Sequence, residues 1–425
     1  MERRRHHPHR RRFGGTGYFQ RVGPGLVTGA ADDDPSGIGT YSQVGAAFGF
    51  GLLWTTIAAL PLAVAVQEAT ARLGLFSGRG LAALIKDEFP KWVLWSALML
   101  VAAANSFNIG ADLGSMAAAT HMLVPVPRPL LVVFFAVGMA WLEIAIPYHR
   151  YSKVLRWLCL SLLSYVVVLF IVDVDWGDAT SRLLAPRMSF DRSTLAAIIA
   201  LFGTTISPYL FFWQTSEEVE ELHEEGVHDG NVVDPHGHMR AMRGDVMAGM
   251  ASGVFVMFAI MVTSAATLGK AGITTVGTAE QAAMALEPLA GGAAKLLFTV
   301  GILGTGLLAV PVLAGSTSYA IAETFGWREG LNLRMSQARA FYMVIMASMI
   351  VGLVLNFTGL NPVRALYWAA ILNGLAAPPL IVMILVLSRR PHVLGHHVSG
   401  RVSTSIVALA AVVSTVLPLL WFLAR

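Results

Sequence analysis

The chain is a succession of apolar runs of about 20 residues, the length at which a helix crosses the hydrocarbon core of a bilayer. They lie near 24–46, 49–72, 92–119, 129–147, 153–173, 194–215, 244–268, 293–318, 337–357, 364–388 and 403–424. Only 13% of the residues are charged, where a soluble chain of this size would carry about 25%. Together with a mean hydropathy of +0.63, this predicts an all-α polytopic membrane protein with about eleven transmembrane helices. The lone cysteine, Cys159, sits in an apolar run, which excludes an internal disulfide framework and a cysteine-based metal cluster. Residues 1–12 are rich in Arg and His, but no short apolar run and small-residue cleavage site follow, so 1–23 reads as a basic cytoplasmic N-terminus and not as a cleaved signal.

Lys and Arg set the orientation, because they concentrate in cytoplasmic loops. Arg3, Arg4, Arg5, Arg10, Arg11, Arg12 and Arg21 precede the first span. Arg72, Arg79, Lys86 and Lys91 follow the second, and Arg150, Lys153 and Arg156 the fourth. Arg240 and Arg243 follow the sixth, Arg328, Arg334 and Arg339 the eighth, and Arg389, Arg390 and Arg401 the tenth. The other loops are sparser, with Arg128, Lys270 and Arg364, although the 174–193 connection holds Arg182, Arg187 and Arg192. The expectation is a multi-pass protein of a cell (inner or plasma) membrane, N-terminus inside and C-terminus outside, which an odd span count requires. The net charge of +4 belongs to this topology and implies no nucleic-acid partner.

The first span is interrupted by Asp32-Asp33-Asp34-Pro35-Ser36-Gly37. A charge at membrane depth is costly and normally faces a cavity or a partner. Pro35 removes a backbone donor and Gly37 loosens the helix, and broken backbone in a bilayer is tolerated only where protein buries it or a polar path wets it. This is the pattern of a cation site. The sixth span is interrupted in the same way by Gly203-Thr204-Thr205-Ile206-Ser207-Pro208-Tyr209. Matched breaks in the first helix of each of two five-helix halves are the mark of an inverted-repeat transporter. The organisation expected is a first repeat at 24–173, an outer loop at 174–193, a second repeat at 194–388 and an extra helix at 403–424. Inside the second repeat, 216–243 mixes Glu217, Glu218, Glu220, Glu221, Glu224 and Glu225 with His223, His228, His236 and His238. It reads as a solvated cytoplasmic loop, with a metal-collecting or regulatory loop as the sharper alternative. His6, His7 and His9 read the same way.

These segments resemble the natural resistance-associated macrophage protein (Nramp) family of divalent-metal transporters, which have the leucine-transporter (LeuT) type of fold. The resemblance runs through Gly23-Pro-Gly-Leu-Val, Asp34-Pro-Ser-Gly37, Gln67-Glu-Ala-Thr-Ala-Arg-Leu-Gly74, Gly80-Leu-Ala-Ala-Leu-Ile85, Asp112-Leu113 and Ser207-Pro208-Tyr209. It implies a 5+5 inverted repeat plus one helix, with Asp34 as the metal carboxylate and the Thr204 carbonyl as a ligand from the sixth span. Asp-Pro-Ser-Gly stands where the family usually shows Asp-Pro-Gly-Asn, so the family's Asn falls on Gly37. Ser-Pro-Tyr stands where it shows Met-Pro-His, so the Met falls on Ser207. A thioether favours softer transition metals, whereas oxygen donors suit Mg²⁺, Ca²⁺ or Mn²⁺, and Mg²⁺ keeps several waters. The substitutions resemble the Nramp-related magnesium transporter branch. The proton path implied by the resemblance is altered as well, with Asp112 kept, Ser115 where a Glu would stand, and Tyr209 where a His would stand. A phenol titrates near pH 10, so weak or absent proton coupling is expected.

The candidate metal residues are therefore Asp34, Gly37, Thr204 and Ser207. Asp33, Tyr209 and Asn373 are secondary: Asp33 because three successive helical residues point about 100° apart and cannot all face one ion, and Asn373 because an interhelical hydrogen bond explains it equally well. Asn105 and Asn108 read as interhelical packing contacts, and Glu143 as lying near an interface. No Ser/His/Asp or Cys/His arrangement falls at membrane depth, so an enzyme is not expected, and no cofactor is implied beyond Mg²⁺ or Mn²⁺ as substrate. A monomer in the lipid bilayer is the simplest assembly. The competing readings are a proton- or sodium-coupled symporter of an organic solute on the same fold, a proton-coupled Mn/Fe importer, and a cation channel or metal sensor.

Overall fold

The computed structural model describes residues 24–146, 157, 160–186, 189–224, 226–227, 230, 232 and 234–424. Cys159, the N-terminal histidines, His228, Arg187 and the whole positive cluster 150–156 lie outside them, as does the first part of the fifth span.

The described residues are helical through most of each predicted span. The first span is two helices, α1 (Pro24–Asp32) and α2 (Pro35–Phe48), separated at Asp33-Asp34. The second is α3 (Trp54–Ser77), followed by a short surface helix α4 (Leu81–Glu88). The third and fourth are α5 (Lys91–His121) and α6 (Arg128–Ala145), and the described end of the fifth is α7 (Leu163–Val168). The 174–193 connection carries its own helix, α8 (Trp176–Leu184). The sixth span is again two helices, α9 (Arg192–Thr205) and α10 (Pro208–Glu224), and α11 (Pro235–Ser264), α12 (Ala294–Phe325), α13 (Arg339–Leu355), α14 (Pro362–Leu387) and α15 (Arg401–Leu423) complete the chain. Among the described residues, seven helical stretches are long and apolar enough to cross a membrane. The protein is an all-helical polytopic membrane protein.

The expected cytoplasmic loop 216–243 is corrected by this geometry. Helix α10 continues to Glu224 and α11 begins at Pro235, so most of the acidic residues are helical. Glu218 is buried and accepts from the Gln214 amide at 2.9 Å. Glu220 takes the Tyr319 hydroxyl and, at 3.0 Å, the Leu331 amide. A run of six glutamates looks solvated by composition, but part of it packs into one end of the helix bundle.

Small residues allow the helices to approach closely, which in a membrane replaces the hydrophobic drive between them. Gly25 and Gly29, four residues apart and so on one face of α1, lie against the backbone of Val246 and Gly249 in α11. Gly203 of α9 meets the backbone of Ala370 and Gly374 in α14, and Gly374 meets Ile199 in return. These two seams fix α1 against α11 and α9 against α14, and so bring the two helix breaks together.

Candidate functional site

Asp34 is the N-cap of α2. Its backbone is extended (φ −65°, ψ 171°) and its carboxylate accepts from the Gly37 amide at 2.7 Å, satisfying one of the donors that a helix start leaves orphaned. The Ser36 hydroxyl donates to the same oxygen, Oδ1, at 2.7 Å. The other oxygen, Oδ2, accepts from the side-chain amide of Asn108 in α5 at 2.9 Å. The carboxylate is therefore held from two directions, by its own helix and by the third span.

The break in the sixth span faces this cap. A methyl group at Gly37 would stand 3.2 Å from Thr204 Oγ1, 3.2 Å from the Asp32 carbonyl and 3.3 Å from the Tyr41 ring. Gly37 and Thr204 thus mark the point where the two breaks meet, and the absence of a Cβ leaves room between them. The Ser207 hydroxyl donates to the carbonyls of Gly203 (2.8 Å) and Thr204 (2.7 Å), at the C-terminal end of α9, where helix carbonyls carry partial negative charge. The Tyr209 hydroxyl donates to the Ala31 carbonyl at 3.0 Å, joining the start of α10 to the end of α1. Asp34, Thr204, Ser207 and Tyr209 are each at most 1% exposed. The site is occluded from both sides.

Asp112 lies one turn along α5 from Asn108 and within electrostatic reach of Asp34 and the Ser36 amide. It is fully buried, and neither of its carboxylate oxygens has a hydrogen-bond partner. Asn373 in α14 is likewise fully buried, with neither amide atom partnered, and the next residue, Gly374, packs on Gly203. Ser115 points its hydroxyl at the Asp112 carbonyl (2.8 Å). Asp33 is turned to α11, with its Oδ2 beside Gly253. Among the described residues no three His, Cys, Asp or Glu side chains converge to form a metal cage. An ion at the junction would be held by few carboxylates, by carbonyl and hydroxyl oxygens, and by water. The thioether of Met257 pairs with Thr205 (3.7 Å) and does not replace the sulfur missing at Ser207.

Asn105 behaves as a packing contact, donating to the Leu313 carbonyl (3.2 Å) and to Thr317 Oγ1 (3.0 Å). Asn108, given the same role from the sequence, instead holds Asp34. Spacing does not distinguish them, since Asn105 and Asn108 lie seven and four residues before Asp112 and both share its helix face. Glu143 is buried in α6, away from this junction, near Tyr342.

A profile of the natural resistance-associated macrophage protein-like (Nramp) family matches residues 25–424. The chain is 25% identical over 405 residues to the divalent metal cation transporter MntH of Erwinia tasmaniensis, covering 93% of this chain and 92% of that one. It is 27% identical over 392 residues to the MntH of Klebsiella pneumoniae, covering 89% and 88%. The manganese transporter of Eremococcus coleocola superposes with a TM-score of 0.72 at 18% identity, over 95% of this chain and 87% of that one. MhsT, solved in complex with L-phenylalanine, superposes with a TM-score of 0.65 at 14% identity, over 95% and 98%. These structural neighbours share the LeuT-type fold expected from the paired breaks. The family match spans almost the whole chain, its relatives are transporters and not enzymes, and the chain belongs to the Nramp family.

Proposed function

We propose that this protein carries divalent metal cations across a cell membrane by alternating access, with hard ions of the Mg²⁺ and Mn²⁺ type as substrates and no obligatory proton coupling. The observation that carries the reading is the meeting of two broken helices at Gly37 and Thr204, with the Asp34 carboxylate locked beside them. Membership of the Nramp family and the printed activities of its MntH relatives support a divalent metal as the cargo.

Asp34 anchors the ion. The Thr204 carbonyl and hydroxyl approach from the other break, the Ser207 hydroxyl orients the Thr204 carbonyl, and Asn373 lines the path. Gly37 supplies no ligand and leaves space for the ion's own water. Oxygen donors with room for water suit Mg²⁺ and Mn²⁺ better than softer metals. Tyr209 closes the first break through Ala31 and is not a group that shuttles protons near neutral pH. Inward and outward opening follow from movement of the first and sixth spans against the rest of the bundle. The Lys and Arg distribution supports a cytoplasmic N-terminus and an outer C-terminus.

The test is uptake into proteoliposomes loaded with a pH-sensing dye, with Mg²⁺ or Mn²⁺ driven by an imposed negative-inside potential. Saturable uptake without matching acidification is expected. Proton entry that tracks metal entry would refute the uncoupled reading, and absence of any metal uptake would refute the cargo.

A further inference from the structure

We propose that Asp32 and Asp33 form a second cation site, separate from the Asp34 anchor, in the seam between α1 and α11. The two sites use consecutive residues because the break turns them to opposite sides. Asp34 faces α5 through Asn108, whereas the carboxylates before it face Gly253 of α11.

The geometry is convergent. The position that a Cβ would take at Gly253 lies 3.4 Å from Asp32 Oδ2, 3.4 Å from the Gly29 carbonyl and 3.7 Å from Asp33 Oδ2. Two carboxylates and one carbonyl thus surround a point that no side chain fills. Asp32 is 0% exposed and neither of its carboxylate oxygens has a hydrogen-bond partner, and Asp33 Oδ1 has none either. The Tyr41 side chain is also buried and within electrostatic reach of both carboxylates. Among the described residues, the charged groups acting on Asp32 and Asp33 are each other and Asp34, so no side-chain cation offsets them.

Buried carboxylates without partners are strongly disfavoured unless a cation compensates them. Three hard oxygens with two formal negative charges match a divalent ion. The three oxygens border the space that the missing Gly253 side chain leaves, and the ion is held in front of the glycine by the carboxylates directly or through water. An ion here also ties the end of α1 to α11. The site does not depend on Asp34 being the transport anchor.

The test is the number of Mn²⁺ ions bound per chain at saturation, measured by equilibrium dialysis on the purified full chain in detergent. The wild type is expected to bind two. The pair Asp32→Asn with Asp33→Asn is expected to bind one, and so is Gly253→Ala, which keeps both charges but places a methyl group among the three oxygens. Asp34→Asn is expected to bind one, through the Asp32 and Asp33 site. A wild type that binds one ion, still bound by the Asp32/Asp33 pair variant, would overturn the proposal. So would two ions retained in both the pair variant and Gly253→Ala. Two ions in Asp34→Asn, with one in the pair variant, would support the second site while removing Asp34 from metal binding.

Discussion

The side-chain amide of Asn108 donates to Asp34 Oδ2 across 2.9 Å, joining the third span to the break in the first. With the Gly37 amide and Ser36 hydroxyl on the other oxygen, it fixes the direction of the carboxylate before any ion arrives. Removing this donor in Asn108→Ala leaves the charge and frees its orientation. A hydrogen bond to a charged group contributes about 1.5–3 kcal/mol, so Mn²⁺ affinity should fall by about 10- to 100-fold, read by titration calorimetry. Unchanged affinity would show that the cap of α2 alone positions Asp34.

The junction between the breaks has no room for a larger residue at Gly37, where a Cβ meets Thr204, Asp32 and Tyr41 at 3.2–3.3 Å. Gly37→Ala should fold, because the Asp32 carbonyl, the Thr204 hydroxyl and the Tyr41 ring need give way by only a few tenths of an ångström, yet lower the maximal uptake rate about tenfold or more by filling the ion's path. Wild-type uptake in proteoliposomes from this variant would place the ion elsewhere. Ser207→Met is the complementary change. It restores a thioether at the second break and should raise Cd²⁺ uptake relative to Mg²⁺; an unaltered ratio in a competition assay would separate Ser207 from selectivity.

The crossing of α9 and α14 rests on Gly203, whose missing side chain lets it touch the backbone of Ala370 and Gly374. Gly203→Leu overpacks a contact made by backbone atoms. The loss should be at least about 1–3 kcal/mol, seen as a lower unfolding temperature and reduced recovery of monodisperse protein. A variant as stable as the wild type would mean that the two helices separate without cost.

Glu68 of α3 accepts from Arg72 and, at 2.9 Å, from Arg243 of α11, and Arg72 donates to the His397 carbonyl at 3.1 Å. The Arg72 side chain is 4% exposed and that of Arg243 is 55% exposed. Glu68→Gln leaves Arg72 buried and unpaired, which costs about 3–5 kcal/mol. Arg243→Gln removes an exposed partner and should cost about 1 kcal/mol or less. Thermal unfolding of the two variants side by side should rank them in that order.

His397 also stacks on Phe76 with ring centroids 4.1 Å apart, and burial, together with the charge of Arg72, holds its pKa below 6.5. The folded state therefore binds fewer protons than the unfolded state as pH falls through the ordinary histidine range. The stability that His397 contributes is present above about pH 6.5 and is lost on acidification toward the lowered folded value. The unfolding temperature should drop between pH 7 and pH 5, and His397→Gln should flatten that part of the profile. A slope unchanged in the variant would assign it to other groups.

The sequence made the spans legible because a run of about 20 apolar residues has few alternatives in a bilayer, and it made the breaks legible because Pro35, Gly37, Gly203 and Pro208 have no place in a continuous helix. The membership of Glu217–Glu221 in α10 was not legible. Charge patterning reports an average exposure, while the burial of Glu218 beside Gln214 of its own helix and the pairing of Glu220 with Tyr319 are set by helices that pack on α10 only in three dimensions. The two carboxylates before Asp34 were visible as surplus charge, but their turn toward Gly253 depends on how the broken backbone exits α1. Asn105 and Asn108 looked alike in composition and share a face of α5, and they differ in height along it, which gives Asn105 the Leu313 carbonyl and Asn108 the Asp34 carboxylate as partner.

The most direct measurement is uptake of Mg²⁺ and Mn²⁺ into proteoliposomes by the wild type and by Asp34→Ala in parallel. The account predicts saturable transport of at least one of these ions by the wild type and its loss, by at least about 100-fold, in the variant, since removing one side of a buried charge–ion pair costs about 3–5 kcal/mol. Uptake by Asp34→Ala at the wild-type rate would contradict it.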